Sequence, residues 1–495
     1  MESQRSYGTR TLYASVTAAC LNGLSVGNLA GWPQAAIPQL LSGSAGGVIF
    51  NESEVAWIAG IFFLGMLAGG FVSLAVASNY GKKRLFLLAS LPMMLGWSII
   101  AVATTFWEFV FGRVVLGIGG GMLCHQTEMY LSEVSPAKRR SSMSVLFCAC
   151  IHVGVLLSFG IGPSLSVSSA TAVYLAVVLL LVALYLSAVP ETPFWLIQQG
   201  RSDEALSILR RLRGSRVDVT EEFREIREFV ERSELDTKSE LDWTAFKRVL
   251  SAPAKRRAIL LVVLLTTAQQ FSGMAAMHSY AQLIFERSAS NLLVQGRYVS
   301  LLIGSIELCC TLGSGFLVER VNRRSLVGMS TATCCACMLV MGLHFHGLVG
   351  DSGVLPVLCV VVFALAYGLG LSTIATVIAA ECLSMDARNI GAAAQNTTVC
   401  FSIFTITKLW QMITSSYGQE YSFWMAAVVT ALHCAVLLSI LPETRGKSLV
   451  EIQALLAASS NFERSLRTIP LLPVLQSIKI VPAGHIVKNN ELRLS

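Results

Sequence analysis

The sequence predicts an all-α membrane protein with twelve transmembrane helices in two similar halves of six. Three observations carry that prediction. Of the 495 residues, 54% are hydrophobic and only 14% charged, well below the roughly 25% charged residues of soluble domains, so most of the chain is suited to lipid. Apolar runs near the ~20 residues that a bilayer-crossing helix needs recur along almost the whole chain. Finally, Pro190-Glu191-Thr192 returns as Pro442-Glu443-Thr444, each time directly after an apolar run and before polar chain, which marks an internal repeat closing each half.

Taken in order, residues 1–11 are polar and lack a cleavable signal pattern, so the first span itself directs insertion. The spans are read as helices because a backbone in lipid must satisfy its own hydrogen bonds. Span 1 (12–40) is expected to be interrupted by Trp32-Pro33 and Pro38. Asn51-Glu52-Ser53 follows in a short outer loop as a glycosylation acceptor. Span 2 (55–77) carries Gly65-x-x-x-Gly69, and span 4 (110–131) carries Gly117, Gly119, Gly120 and Gly121, small residues that let helices approach closely. Spans 3 (85–105), 5 (142–161) and 6 (169–189) complete a first half at 12–189.

The linker, 190–257, is charged and punctuated by Gly200 and Gly214. Ser202 and Thr220 are expected N-caps, with Asp203, Glu204, Glu221 and Glu222 favouring the positive helix end. Ala205, Leu206, Leu209 and Leu212, then Phe223, Ile226 and Phe229 or Val230, recur at helical spacing. Short amphipathic helices under the membrane domain are expected, a solvated linker being the alternative. The second half, 258–441, holds spans at 258–285, 298–318, 326–346, 355–380, 391–413 and 421–441, with Gly368 and Gly370 interrupting span 10. A second Asn-x-Thr triplet, Asn396-Thr397-Thr398, lies inside span 11 and should be unused. The tail, 442–495, contains Pro470, Pro473 and Pro482, which argue against another span, and poor order is expected after Ile452.

Orientation follows from basic residues in the short loops. Lys82, Lys83, Arg84, Lys138, Arg139, Arg140, Arg320, Arg323, Arg324 and Arg388 fall on one side, and only Arg113, Arg287 and Arg297 on or near the other. The first side, with both termini, is read as cytoplasmic. That placement also accounts for the net charge of +7 without a nucleic-acid partner. All 13 cysteines lie in or beside apolar runs and read as small packing residues.

The loops themselves repeat. Gly81-Lys82-Lys83-Arg84 after span 2 is echoed by Glu319-Arg320-Val321-Asn322-Arg323-Arg324 after span 8, and Glu133 with Arg140 after span 4 by Glu381 with Arg388 after span 10. Opposite charges at matched helix ends can lock neighbouring helices, so Glu133, Arg140, Glu319, Arg320, Glu381 and Arg388 are candidate gating residues.

These motifs together resemble the sugar porter family of the major facilitator superfamily, and its insect branch of facilitated trehalose and hexose transporters most. The resemblance is carried by Arg113-x-x-x-Gly117-x-Gly119-x-Gly121, Tyr130-x-x-Glu133-x-x-Pro136-x-x-x-Arg140, Pro190-Glu191-Thr192-Pro193-x-Trp195-Leu196, Gln269-Gln270-x-Ser272-Gly273 and Pro442-Glu443-Thr444-x-Gly446, with Thr407-Lys408 and Phe423-Trp424 pointing to the insect branch. It implies the major facilitator fold of two six-helix bundles, a central sugar site, alternating access and plasma-membrane residence. It also implies that Gln269 and Gln270 hydrogen-bond sugar hydroxyls, as a neutral amide can, offering both donor and acceptor. Other family contacts are replaced. An Asn is Ala275, a Tyr pair is Ser279-Tyr280, the span 5 Gln is Cys148 and the span 8 Asn is Glu307. Span 10 reads Ser372-Thr373-Ile374-Ala375-Thr376 where the family has Gly-Pro-x-Pro-Trp, and the span 11 Trp is Cys400. Loop positions drift too, with Ser78, Asn322 and Ser384. No acidic residue occurs within span 1, where proton-coupled relatives commonly carry one, which favours a uniporter.

Glu307 is the sharpest departure. A carboxylate near mid-membrane needs a cavity and a partner. Counting from the inner helix ends (319 − 307 = 12; 152 − 140 = 12) puts Glu307 and His152 at matching depth. A pair between them is expected, against the alternative of a Glu307 bonded within its own half. His278 is left open between packing and cavity lining, and Glu128 and His125 are read as snorkelling toward the inner interface. The functional expectation is a facilitative transporter of a sugar or polyol in a lipid bilayer, with Gln269, Gln270, Tyr280, Glu307 and His152 as substrate contacts. A transporter of another, charged solute and a non-transporting sensor are the alternatives. No cofactor, metal or catalytic constellation is expected.

Overall fold

The computed structural model describes residues 10–43, 48–77, 80–136, 139–187, 189–214, 217–237, 247, 249–287, 296–349, 353–383, 387–445, 447 and 449–458. Among them all regular structure is helical. The first six spans are Arg10–Ser42, Glu52–Ala77, Lys82–Val102, Phe106–Val134, Arg140–Ile161 and Val167–Ser187. In the second half, span 7 is Pro253–Phe271 with Met274–Arg287, span 8 is Gly296–Arg320, and span 9 is Arg323–Phe345. Span 10 is Val354–Ala366 continued through Ser372–Cys382, span 11 is Arg388–Tyr417 and span 12 is Gln419–Ile440. Nine of these helices are apolar enough to cross a membrane by length and composition. The other three are spans 1, 8 and 11, which carry Asn22, Asn28, Gln34, Glu307, Asn396, Lys408 and Gln411. Their polarity has a structural reason, because all three pack across the boundary between the halves.

Among the described residues the halves pack mainly through span 2 with span 11, span 5 with span 8, and span 1 with the second segment of span 7. The first two exchange under the twofold relation of the repeat (2 with 8, 5 with 11), and the third maps onto itself. Within each half, spans 3 and 6, and likewise 9 and 12, pack side by side. Gly65 and Gly117 meet face to face: a Cβ on Gly65 would stand 2.4 Å from the Val114 carbonyl oxygen. This is the close approach that small residues permit.

Two expected interruptions differ. Span 1 runs unbroken through Pro33 and Pro38. Proline removes the N–H that would bond the carbonyl four residues back, Leu29 for Pro33 (33 − 4 = 29), and here Arg113 Nη1 of span 4 donates to that carbonyl instead at 3.0 Å. Span 7, by contrast, breaks where no break was expected, at Ser272-Gly273. There Gly273 takes φ +104°, a left-handed value glycine adopts without steric cost. Span 10 is interrupted as expected, by a π-helical segment at Tyr367–Leu371.

After span 6 the chain forms short helices at Pro193–Gln198, Ser202–Arg213 and Thr220–Thr237. Ser202 and Thr220 open their helices rather than cap them. Arg201 stands at the first cap position, and Asp218 Oδ1 accepts from the Thr220 amide at 3.0 Å. Ala205, Leu209 and Leu212 are fully buried, and Arg213 ties this layer to the end of span 4 by donating to the Val134 carbonyl at 2.8 Å. In the tail, Leu449–Ala458 is helical and is capped by Arg257, whose Nη1 donates to the carbonyls of Leu456 (2.7 Å) and Ala457 (2.9 Å). The tail beyond Ala458 lies outside the described residues. All 13 cysteines are free.

Candidate functional site

The site is built where the polar spans meet. The face carrying Arg10, the 193–237 helices and the tail helix is termed the terminal face, and its opposite the distal face. Glu307, halfway along span 8, is 3% exposed and faces two imidazoles. His278 Nε2 of span 7 lies 2.7 Å from Glu307 Oε2, and His152 Nδ1 of span 5 lies 3.7 Å from the same oxygen. The pair expected from helix arithmetic is therefore brought together, but the shorter contact belongs to His278, within the same half. Helix spacing could not reveal this, because the break at Gly273 resets the phase of span 7.

Span 1 closes this cluster on the distal side. With its amide oriented by its neighbours, Gln34 donates to the His278 carbonyl at 2.9 Å, accepts from the Gln282 amide at 2.8 Å, and meets the Ser300 hydroxyl of span 8. Farther toward the distal face, Lys408 Nζ of span 11 donates to Ser53 of span 2 at 3.1 Å. Gln411 Nε2 donates to Glu52 Oε2 at 2.8 Å. The Lys408 ammonium also sits 4.8 Å over the Trp57 ring.

On the terminal side of His152 the boundary between the halves carries exposed side chains. Glu128 and Cys148 are exposed, and Cys124 interacts electrostatically with Glu128, Cys148 and Cys400. Spans 4, 5 and 11 thus come together here, with Glu128 and Cys148 exposed, Cys124 half-buried and Cys400 buried. Gln269, half-buried beside the break in span 7, donates to the Ser372 carbonyl of span 10 at 3.3 Å. Gln270 is buried next to it. Tyr280 is not among these exposed side chains: it is 1% exposed and its hydroxyl donates to the Thr407 carbonyl at 3.2 Å.

The candidate gating residues occupy the terminal face. Glu133 pairs with Lys82 at 3.8 Å and Glu381 with Arg323 at 2.9 Å, each joining the end of one helix (span 4 or 10) to the start of another (span 3 or 9) in the same half. The Thr444 hydroxyl also donates to Glu381. Arg320 is exposed, while the side chains of Arg140, Glu319 and Arg388 lie outside the described residues. The repeated Pro-Glu-Thr glutamates have matching tasks. Glu191 accepts from the Lys83 amide at 3.2 Å, and Glu443 from the amides of Arg323 (3.1 Å) and Arg324 (3.3 Å), so each caps the third helix of its half. Their electrostatics differ. Burial pushes the Glu191 carboxyl up, whereas for Glu443 burial is outweighed by the Arg445, Arg323 and Arg324 amides, which hold it below the usual range. Asn51, exposed, accepts from the Glu54 amide at 2.8 Å at the start of span 2.

A two-half, twelve-helix arrangement with polar spans along the dividing surface has close counterparts. The family model described as sugar (and other) transporter matches residues 11–456. The chain belongs to that family. A facilitated trehalose transporter of Bombyx mori is 28% identical over 427 residues, covering 85% of this chain and 82% of that protein. Facilitated glucose transporter member 6 of solute carrier family 2 from Homo sapiens is 25% identical over 472 residues, covering 90% and 91%. In structure, the inward open conformation of the xylose transporter XylE from E. coli matches with a TM-score of 0.73 over 90% of this chain and 99% of that one, at 19% identity. This family member thus has the major facilitator fold, and it is a multi-pass membrane protein.

Proposed function

We propose that this protein is a facilitative transporter of a sugar or related polyol, of the hexose or trehalose class, working by alternating access across the plasma membrane. The observation that carries this reading is the asymmetry of the boundary between the halves. Polar contacts join them at the distal face, while Glu128 and Cys148 stay accessible on the terminal side. A solute entering from the terminal side would meet Gln269 and Gln270 beside a broken helix, and would reach His152 and Glu307 before the distal closure. Family membership and the likeness to the trehalose and glucose transporters support the substrate class. The terminal face is read as cytoplasmic. The pairs Lys82–Glu133 and Arg323–Glu381 brace each half, so that it turns as a unit. Arg140, Glu319, Arg320 and Arg388 are assigned to the same gating layer.

The test is uptake of radiolabelled glucose, fructose, trehalose, inositol and a few charged solutes in transporter-deficient cells. Saturable sugar uptake is expected, with Gln269→Ala raising the apparent KM or abolishing it. The accessible carboxylate of Glu128 favours one second reading, a charged solute. Uptake of a charged solute without any sugar would replace the first reading by the second, and binding without flux would mark a sensor.

A further inference from the structure

The interface between spans 5 and 8 has a graded composition. Toward the distal face it is apolar: Gly160 faces Leu301, and Gly304 faces Leu156 and Phe159. Farther toward the terminal face His152 stands against Glu307. Both imidazoles retain accessible surface, 22% for His152 and 29% for His278, whereas the carboxylate retains 3%. The bases are thus partly exposed while the acid between them is buried.

The two histidines differ in what happens when the halves separate. His278 and Glu307 belong to one half and their 2.7 Å contact can survive the movement. His152 belongs to the other half. At 3.7 Å it is beyond hydrogen-bond length but within ion-pair range, so its attraction across the interface depends on whether it carries a proton. We propose that His152, Glu307 and His278 form a proton-binding latch between the halves, in which a proton on His152 holds spans 5 and 8 together and its loss releases them. By linkage, the state closed at the distal face binds that proton more tightly than the opened state, by the same factor by which the proton favours closure. The latch needs no proton gradient, and it does not depend on which solute is carried.

Other ionisable groups around Glu307 do not provide the same switch. Tyr367 in the π segment of span 10 and Cys310 on span 8 feel its charge, but a phenol and a thiol titrate above the range in which an imidazole does. Gln34, the contact from span 1, is uncharged. One turn from His152, Cys148 feels Glu128 of span 4.

The latch can be read without a substrate. The full-length chain in lipid nanodiscs is followed by hydrogen–deuterium exchange at about pH 5.5 and about pH 8, each corrected for the intrinsic rate. Amides at the distal ends of spans 5 (155–161) and 8 (296–304) are expected to exchange about fivefold or more slowly at the lower pH. His152→Gln, at a partly exposed position that tolerates the amide, is expected to remove that difference. His278→Gln, which keeps a donor to the carboxylate within the same half, is expected to retain it. A wild type without pH dependence would overturn the latch. So would a His152→Gln variant that keeps it, a His278→Gln variant that loses it, or a change spread evenly over all spans.

Discussion

Arg113 offers the most direct test of how this fold tolerates proline inside a membrane helix. Its side chain is fully buried. Nη1 donates to the Leu29 carbonyl at 3.0 Å, Nε donates to the Ile58 carbonyl at 3.2 Å, and the guanidinium lies 4.9 Å over Trp32 and 4.5 Å over Phe62. The Ile58 carbonyl still has the Phe62 amide available within its own helix, but the Leu29 carbonyl has lost its amide to Pro33. Arg113→Met alone is ambiguous. It strands one buried carbonyl at a cost of about 1–3 kcal/mol and forfeits cation–π contacts worth about 0.5–2 kcal/mol, but it also removes a buried charge whose desolvation costs several kcal/mol. The informative quantity is the coupling. Pro33→Ala restores an amide for the Leu29 carbonyl, so Arg113→Met should cost about 1–3 kcal/mol less in the Pro33→Ala background than in the wild type. Unfolding by SDS titration in mixed micelles measures all four corners of the cycle, and Pro38→Ala, which has no such link to Arg113, is the control. Additivity of Arg113→Met with Pro33→Ala to within about 0.5 kcal/mol would refute the repair.

Three further outcomes follow from the site. Glu381→Gln breaks the half-buried pair with Arg323, a contact of a kind worth about 1.5–3 kcal/mol, and should slow uptake severalfold at preserved surface expression. Unchanged kinetics would remove Glu381 from the gate. Gly273→Ala forces a side chain into the left-handed region, at roughly 1–2 kcal/mol, and should lower the melting temperature of the purified protein and weaken uptake. A variant as stable and active as the wild type would show that the break in span 7 is dispensable. If the distal face is extracellular, glycosidase treatment should shift the wild type on a gel and leave Asn51→Gln unmoved, and a shift persisting in Asn51→Gln would place the glycan elsewhere.

The element pattern was legible because lipid makes it so: an apolar run of span length has almost no alternative to helix. The doubling of Pro-Glu-Thr was legible too, and its reason is physical, since Glu191 and Glu443 each cap a helix start in the corresponding place of the two halves. What escaped the sequence were partners chosen by packing. Nothing local says that Arg113 would repair span 1 at Pro33, and Pro33 by itself read as a break. Tyr280 sits two residues from His278, yet one side chain is tied to Thr407 and the other to Glu307. Two positions apart on the one helix after Gly273 they face opposite ways, and which of them meets Glu307 depends on the break, where a left-handed glycine cannot be told from a packed one in a single sequence. Nor does the sequence say that Glu133 and Glu381 reach Lys82 and Arg323 at the starts of spans 3 and 9.

Among the described residues the two faces of the molecule are held by different kinds of contact. At the terminal face the described ion pairs lie within a half, so separating the halves breaks neither Lys82–Glu133 nor Arg323–Glu381. At the distal face the contacts cross the boundary: Lys408 with Ser53, Gln411 with Glu52, and Gln34 with span 7 and Ser300. Hydrogen bonds of this kind contribute about 0.5–1.5 kcal/mol each, somewhat more where a charge takes part, so together they amount to a few kcal/mol. Moving a two-state equilibrium from 1:99 to 99:1 takes about 5.5 kcal/mol. The distal closure therefore lies within the range that one or two side chains can tip. Lys408→Met removes two donations to Ser53 while keeping an apolar stem over Trp57, and it should shift the balance toward the distally open state by up to about tenfold, the equivalent of about 1.4 kcal/mol. Faster hydrogen–deuterium exchange at the starts of spans 2 and 8 and at the end of span 11, with the terminal-face helices unchanged, is the expected signature. Exchange identical to the wild type at all three sites would mean that the polar bridge at Lys408 contributes nothing to keeping the distal face shut.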